Sequence, residues 1–111
     1  MSVARGQVYR VTPPPGKGDP RPARCVVVVS RDTLCASRAD KVVCAPVNSN
    51  ADGRSTEVPV GVDVGLKHDS VINCDQLVLV PKSALTNYNG SLSAPKLREL
   101  RDALRAALDV D

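Results

Sequence analysis

Few side chains in this sequence carry chemistry on their own, and their spacing removes several reaction classes. The four cysteines stand at positions 25, 35, 44 and 74. They form no C-x-x-C pair, and His68 is the only histidine, so neither a metal site nor a cofactor is expected. Three of the four lie in or beside apolar strand-like runs, which predicts buried, reduced thiols acting as small hydrophobes. The sequence contains no G-x-S-x-G, no Gly-rich phosphate loop ending in Lys-Ser or Lys-Thr, and no Ser/His/Asp set. What remains is arginines, hydroxyls, a few carboxylates and His68. Such groups suit phosphate chemistry: a fixed guanidinium grips phosphoryl oxygens bidentately, and small polar donors assist it. Histidine is the commonest general base, although an exposed histidine without a role is the plainer reading of His68.

The charge is unevenly placed. Residues 1–31 hold six basic groups (Arg5, Arg10, Lys17, Arg21, Arg24 and Arg31) against Asp19, a balance of +5. Residues 32–111 hold nine basic and eleven acidic groups, a balance of −2, and the whole chain carries +3. A basic N-terminal third suits a phosphate backbone; arginines solvated at strand edges are the alternative.

These groups need a scaffold, and 111 residues predict a single domain over 1–111 with a core of its own. Eighteen valines fill that core, while the aromatics are Tyr9 and Tyr88 alone. Base stacking on aromatic platforms is therefore excluded as a main recognition mode. No run approaches the ~20 apolar residues of a membrane helix, and Met1 to Arg10 has no apolar leader core. A cytoplasmic protein without membrane contact is expected.

Alternation over Gln7–Thr12 predicts a first strand, followed by a Pro/Gly loop from Pro13 to Pro20. The β-branched run Cys25–Val29 predicts a strand buried on both faces. A short helical turn over Asp32–Ala39, a strand over Lys41–Val47 and a polar loop over Asn48–Ser55 follow. Val58, Val60, Val62 and Val64 alternate with polar or small residues, which predicts one strand, and Pro59 places it at a sheet edge. Ser70–Val80 is the longest strand region. Leu97, Leu100, Leu104 and Leu108 form one stripe of an amphipathic helix, with Ser93 as N-cap, Pro95 in the first turn and an exposed Arg98–Asp102 pair. Five or six short strands closed by a terminal helix predict a mainly β fold, a small antiparallel barrel.

Several blocks, in order, resemble the MazF/PemK toxin family. They are Arg5-Gly6-Gln7-Val8-Tyr9, then Arg24 to Asp32 after the Gly/Pro loop, then Ala45-Pro46-Val47-Asn48-Ser49-Asn50. Thr56 to Val60, Gly65 to Gln76 and Leu92-Ser93 before the Ala/Leu helix complete the set. The Asp69-Ser70…Asp75-Gln76 block is the most specific, and the resemblance spans residues 5–108. It implies an SH3-like antiparallel β-barrel of the CcdB/PemK-like type with a C-terminal helix. It also implies a homodimeric, metal-independent endoribonuclease toxin that cuts single-stranded RNA and is restrained by an acidic, MazE-like antitoxin.

The resemblance also assigns residues. Arg21-Pro22 copies the family's Arg-Pro dipeptide, but counting six positions back from Ser30 gives Arg24 as the essential arginine. Arg21 and Lys17 then assist from the same loop. The family's threonine after the third strand is replaced by Asn48, followed by Ser49. Asn48 can donate to phosphate but has no hydroxyl, which Ser49 can supply. Asp69, Ser70 and Gln76 match base-reading positions, His68 lies in the same loop near the RNA, and Glu57 matches a position open between a salt bridge and proton transfer. Two other readings stand beside the nuclease. One is a gyrase inhibitor of the CcdB type, weakened by a C-terminus, Leu108-Asp109-Val110-Asp111, that lacks an aromatic anchor. The other, kept open by Asn48, is a catalytically impaired homologue that only binds antitoxin.

Overall fold

The computed structural model describes residues 3–12 and 24–111; Lys17 and Arg21 lie outside the described residues. Seven strands form one curled antiparallel sheet: β1 (Gln7–Val11), β2 (Arg24–Val28), β3 (Lys41–Asn48), β4 (Glu57–Val60), β5 (Ser70–Asn73), β6 (Val78–Pro81) and β7 (Asn87–Ser91). A short helix, α1 (Asp32–Cys35), follows β2, and the long helix α2 (Ala94–Leu108) follows β7. The hydrogen-bonded order is β4-β5-β3-β2-β1-β7, with β6 also paired to β3.

β3 organises the sheet. One of its edges pairs with β2 along Cys44, Ala45 and Pro46. The other pairs first with β6 along Lys41–Cys44 and then with β5 at Val47 and Asn48. β2 is buried on both faces, as its unbroken β-branched run requires. Val27 joins the inner core with Val8, Val58, Ile72, Leu100 and Ala103. Val26 and Val28 join a second core with Tyr9, Val42, Cys44 and Leu85.

The ladder does not close the curl. Its two ends, β4 and β7, are instead joined by a 3₁₀ turn over Val62–Val64. This turn rests on β7, where Asn89 Nδ2 donates to the Val64 carbonyl at 3.0 Å. Gly65, at φ +80°, turns the chain away in the left-handed region. Helix α2 covers the inner face as its leucine stripe demands, with Leu100 fully buried. Ser93 caps it, accepting from the Lys96 N–H at 3.4 Å.

Four expectations are corrected. Val58–Val64 is not one strand: β4 ends at Val60, and the alternation continues through the 3₁₀ turn with Val62 exposed and Val64 buried. Asp63 Oδ1 accepts the Gly61 N–H at 2.7 Å, so a local side-chain bond replaces a ladder bond. The edge position of β4, marked by Pro59, does hold. Ser70–Val80 splits into β5 and β6 at a turn where Asn73 Oδ1 accepts the Asp75 N–H at 2.9 Å. β7, Asn-Tyr-Asn-Gly-Ser, lies outside the predicted strands because its composition reads as a turn. Among the described residues, the ion pair on α2 is Lys96–Glu99 at 3.4 Å, not Arg98–Asp102; exposed pairs are too weak to be dictated by spacing.

Candidate active site

The polar groups collect where β2 begins, β3 ends and the β5–β6 turn returns. Arg24 is the first residue of β2, opposite Val11 on the last rung of the β1–β2 ladder, and half-buried. A rung of backbone hydrogen bonds thus anchors the base of its side chain. Asn48 is the last residue of β3, and Ser49 and Asn50 follow outside the strand, both exposed. The predicted polar loop therefore starts one residue later than its sequence suggests. Glu57 opens β4 opposite Asn73. Gln76 is exposed in the β5–β6 turn.

Arg24, Asn48, Ser49, Glu57 and Gln76 line one open cavity of about 570 Å³, together with Asp52 and Asn73. Arg24 is the cation of this wall, set against the carboxylates of Asp52 and Glu57. The Glu57 carboxylate is already engaged. It accepts the Asp52 N–H at 3.1 and 3.2 Å and the Arg54 N–H at 3.1 Å, which ties down the loop after Asn50. That loop is also pinned by Arg54, 3.8 Å from Asp75, and by the Thr56 hydroxyl, which donates to Asp75 at 2.6 Å. The sequence left Glu57 between a salt bridge and proton transfer; its observed partners are backbone donors.

The remaining predicted residues divide between two neighbouring depressions. His68 and Ser70 line a smaller cavity that shares Ser49 with the first. His68 is exposed, and the Ser70 hydroxyl donates to its carbonyl at 3.2 Å. Asp69 instead lines the groove beside β4, with Arg54, Asp63 and Val62. The structure thus brings together five of the predicted residues, sets two beside them and turns Asp69 to another groove.

The basic N-terminal third is divided as well. The Arg5 guanidinium donates to the Val29 carbonyl, so that charge fastens the fold. Arg10, counted in the basic third but given no place in the site, is exposed on β1 opposite Cys25 and lines the His68 cavity with Lys67. The register of β1 against β2, hidden by the loop between them, was the missing signal.

The thiols are inert. Cys44 is fully buried and its pKa is pushed up to about 12, chiefly by desolvation; burial likewise pushes Cys74 up to about 11, and the neighbouring Asp75 adds to it. Among the described residues no three His, Cys, Asp or Glu side chains are grouped as a metal site would need. Among the described residues no helix is long and apolar enough to cross a membrane.

The family model of the PemK-like, MazF-like toxin of type II toxin–antitoxin systems matches residues 4–108. The chain belongs to this family. Endoribonuclease MazF3 of Mycobacterium tuberculosis is 33% identical over 89 residues, which cover 80% of this chain and 85% of its relative. Endoribonuclease MazF6 of the same organism is 30% identical over 114 residues, covering 99% and 100%. Among solved structures, the Mycobacterium tuberculosis toxin MazF-mt6 superposes with a TM-score of 0.80 at 28% identity, covering 95% of this chain and 98% of that one. A mycobacterial endoribonuclease in complex with its cognate antitoxin shares the fold, with a TM-score of 0.81 at 24% identity, covering 99% and 98%. The MazF-like fold, a curled antiparallel sheet with one C-terminal helix, is that expected from the ordered blocks.

Proposed function

We propose that this endoribonuclease toxin cleaves single-stranded RNA at the cavity formed by Arg24, Asn48 and Ser49, without a metal ion. The ribose 2′-oxygen attacks its own phosphate, the P–O5′ bond breaks, the 2′-hydroxyl proton is lost to a base and the 5′-oxygen takes one up. A 2′,3′-cyclic phosphate, or the 3′-phosphate formed from it, and a 5′-hydroxyl result. The guanidinium of Arg24 carries the charge that grows on the phosphoryl oxygens, and the Asn48 amide and Ser49 hydroxyl supply further donors. Glu57 positions the loop behind them. Gln76, His68 and Ser70 hold the strand on either side, Asp69 reads a more distant base, and Lys17 and Arg21 add positive charge for the RNA.

The observation that carries this reading is the convergence of one arginine and two small donors on one cavity in a MazF-like chain. Two partners belong to the same proposal. One is a second copy of the chain, supported by the exposed Val78 and Leu79 on β6. The other is an acidic antitoxin that folds into the RNA groove, by analogy with the antitoxin complex of the mycobacterial relative. A cytoplasmic site of action is part of this proposal, since messages and the antitoxin are made there.

The test is to incubate the purified chain with mixed-sequence single-stranded RNA in chelator and map the product ends. Cyclic or 3′-phosphate ends paired with 5′-hydroxyl ends are expected. Arg24→Ala is expected to lower kcat by about 10²–10³ while the thermal melt stays in place. Intact RNA together with inhibited gyrase would overturn the nuclease in favour of a CcdB-type toxin.

A further inference from the structure

Beside the Arg24 cavity lies a smaller one of about 240 Å³, with Ser49 in the wall between them. Among the described residues its charged lining is basic: Arg10 reaches it from β1 and Lys67 from the segment before β5, with the His68 imidazole beside it, and no Asp or Glu lines it. The Arg24 cavity differs, since Asp52 and Glu57 line it. Among the described residues, the ion pairs use Arg54 and Lys96, leaving Arg10, Lys67 and His68 out of them.

The backbones that carry these side chains are held in place. Arg10 stands on a ladder rung opposite Cys25. The segment carrying Lys67 and His68 is fastened at Gly65, whose N–H donates to Val62 at 3.1 Å, and at Leu66, whose N–H donates to Gly61 at 3.2 Å. The Asn89 amide holds Val64 from the other side, and the Ser70 hydroxyl holds the His68 carbonyl. Basic groups fixed around so small a space repel one another unless an anion joins them. The Arg10 guanidinium and the Lys67 ammonium carry N–H donors of the kind a phosphate accepts.

We propose that this cavity binds the phosphodiester next to the scissile one. The RNA strand then runs from Arg24, past Ser49, to Arg10 and Lys67. The proposal rests on the RNA-cleaving function above and adds a subsite to it. Arg10 and Lys67 act as positioning residues, through the charge of one phosphate rather than the identity of a base.

The test uses the full chain and a 2′-O-methyl oligonucleotide carrying the cleavage site mapped with unmodified RNA. Its blocked 2′-oxygens prevent cleavage, so binding is read alone by fluorescence anisotropy. A single neutral methylphosphonate is stepped along the strand. In the wild-type chain, one position beside the scissile phosphate is expected to weaken binding about tenfold. The double variant Arg10→Ala, Lys67→Ala is expected to bind the all-phosphate strand about tenfold more weakly and to show no further loss at that position. Both side chains are exposed, and Lys67→Ala alone, with an intermediate loss, serves as a second variant.

Wild-type affinity in the variants, or the same methylphosphonate profile in both proteins, overturns the subsite. Variants that bind the oligonucleotide normally but lose an acidic peptide also overturn it, in favour of a peptide site. Failure of the underlying function is read separately, as unmodified RNA left intact by the wild-type chain.

Discussion

Asn48 faces Val71 across the last rung of the β3–β5 ladder, so the residue proposed to take the part of the family's threonine is fixed by a strand pair. Ser49, the next residue, has left the ladder and is exposed. Preorganised donors contribute most to stabilising charge in a transition state. Asn48→Ala is therefore expected to lower kcat about 10²-fold, and Ser49→Ala by less. Asn48→Thr, which restores the family hydroxyl at a held position, is expected to retain cleavage. Single-turnover assays on one mapped RNA site compare the three.

The approach of β7 to the 3₁₀ turn limits what residue 90 can be. A Cβ on Gly90 would lie 2.8 Å from the Val64 carbonyl oxygen and 3.1 Å from its Cα, and backbone atoms cannot swing aside. Gly90→Ala is expected to cost about 1–3 kcal/mol, as overpacking does. That lowers Tm by at least about 4 °C in a chain of this size. Differential scanning calorimetry measures it.

The buried thiols predict a pH dependence with a definite sign. Folded Cys44 keeps its proton up to about pH 12 and Cys74 up to about pH 11, whereas the same thiols in the unfolded chain lose theirs near pH 9. Above pH 9 the unfolded state therefore binds fewer protons, and stability falls as pH rises. The contribution is fully present below pH 9 and is lost progressively towards pH 11–12. Urea midpoints at pH 8, 9, 10 and 11 should decline, and less steeply in Cys44→Val than in the wild type.

Aromatic poverty predicts how RNA is held. Tyr9 is buried, its hydroxyl donating to Gln7 Oε1 at 2.8 Å, so it presents no face to a base. Tyr88 is exposed but packs edge-on against Tyr9 at 5.9 Å and shares a hydrogen bond with Ser91. Tyr88→Leu is expected to change RNA affinity by less than about twofold, where a stacking residue would cost 1–3 kcal/mol. Binding should instead weaken steeply with salt, each phosphate contact adding about 0.7 to the log–log slope. Titrations at several salt concentrations read both effects.

The parts of the fold that were legible in the sequence are those with one dominant signal. The run Cys25–Val29, the leucine stripe with its Ser93 cap, and Pro59 at an edge each have a single physical reading, and each is found. The misread parts involve competition. Val62 and Val64 continue a strand-like alternation, yet Asp63 and the flanking glycines draw the backbone into a 3₁₀ turn. Asn-Tyr-Asn-Gly-Ser has turn chemistry and becomes a strand only because β1 offers it a partner. For the candidate site, order along the chain brings forward Arg24, Asn48 and Ser49, and these three line one cavity. Arg10 could not be placed, because its neighbourhood depends on ladder register and on a loop that approaches from residues 65–70.

The strand order has a consequence for when this enzyme comes into being. β1, near the start of the chain, takes β7 as its outer neighbour, and β3 waits for β5 and β6. Arg24, Asn48 and Gln76 meet only after β3 has paired with β2, β5 and β6, and the helix that covers the inner core follows in the chain. Such distant contacts form late and together. The cleft is therefore absent from a partly paired chain and appears with the completed sheet.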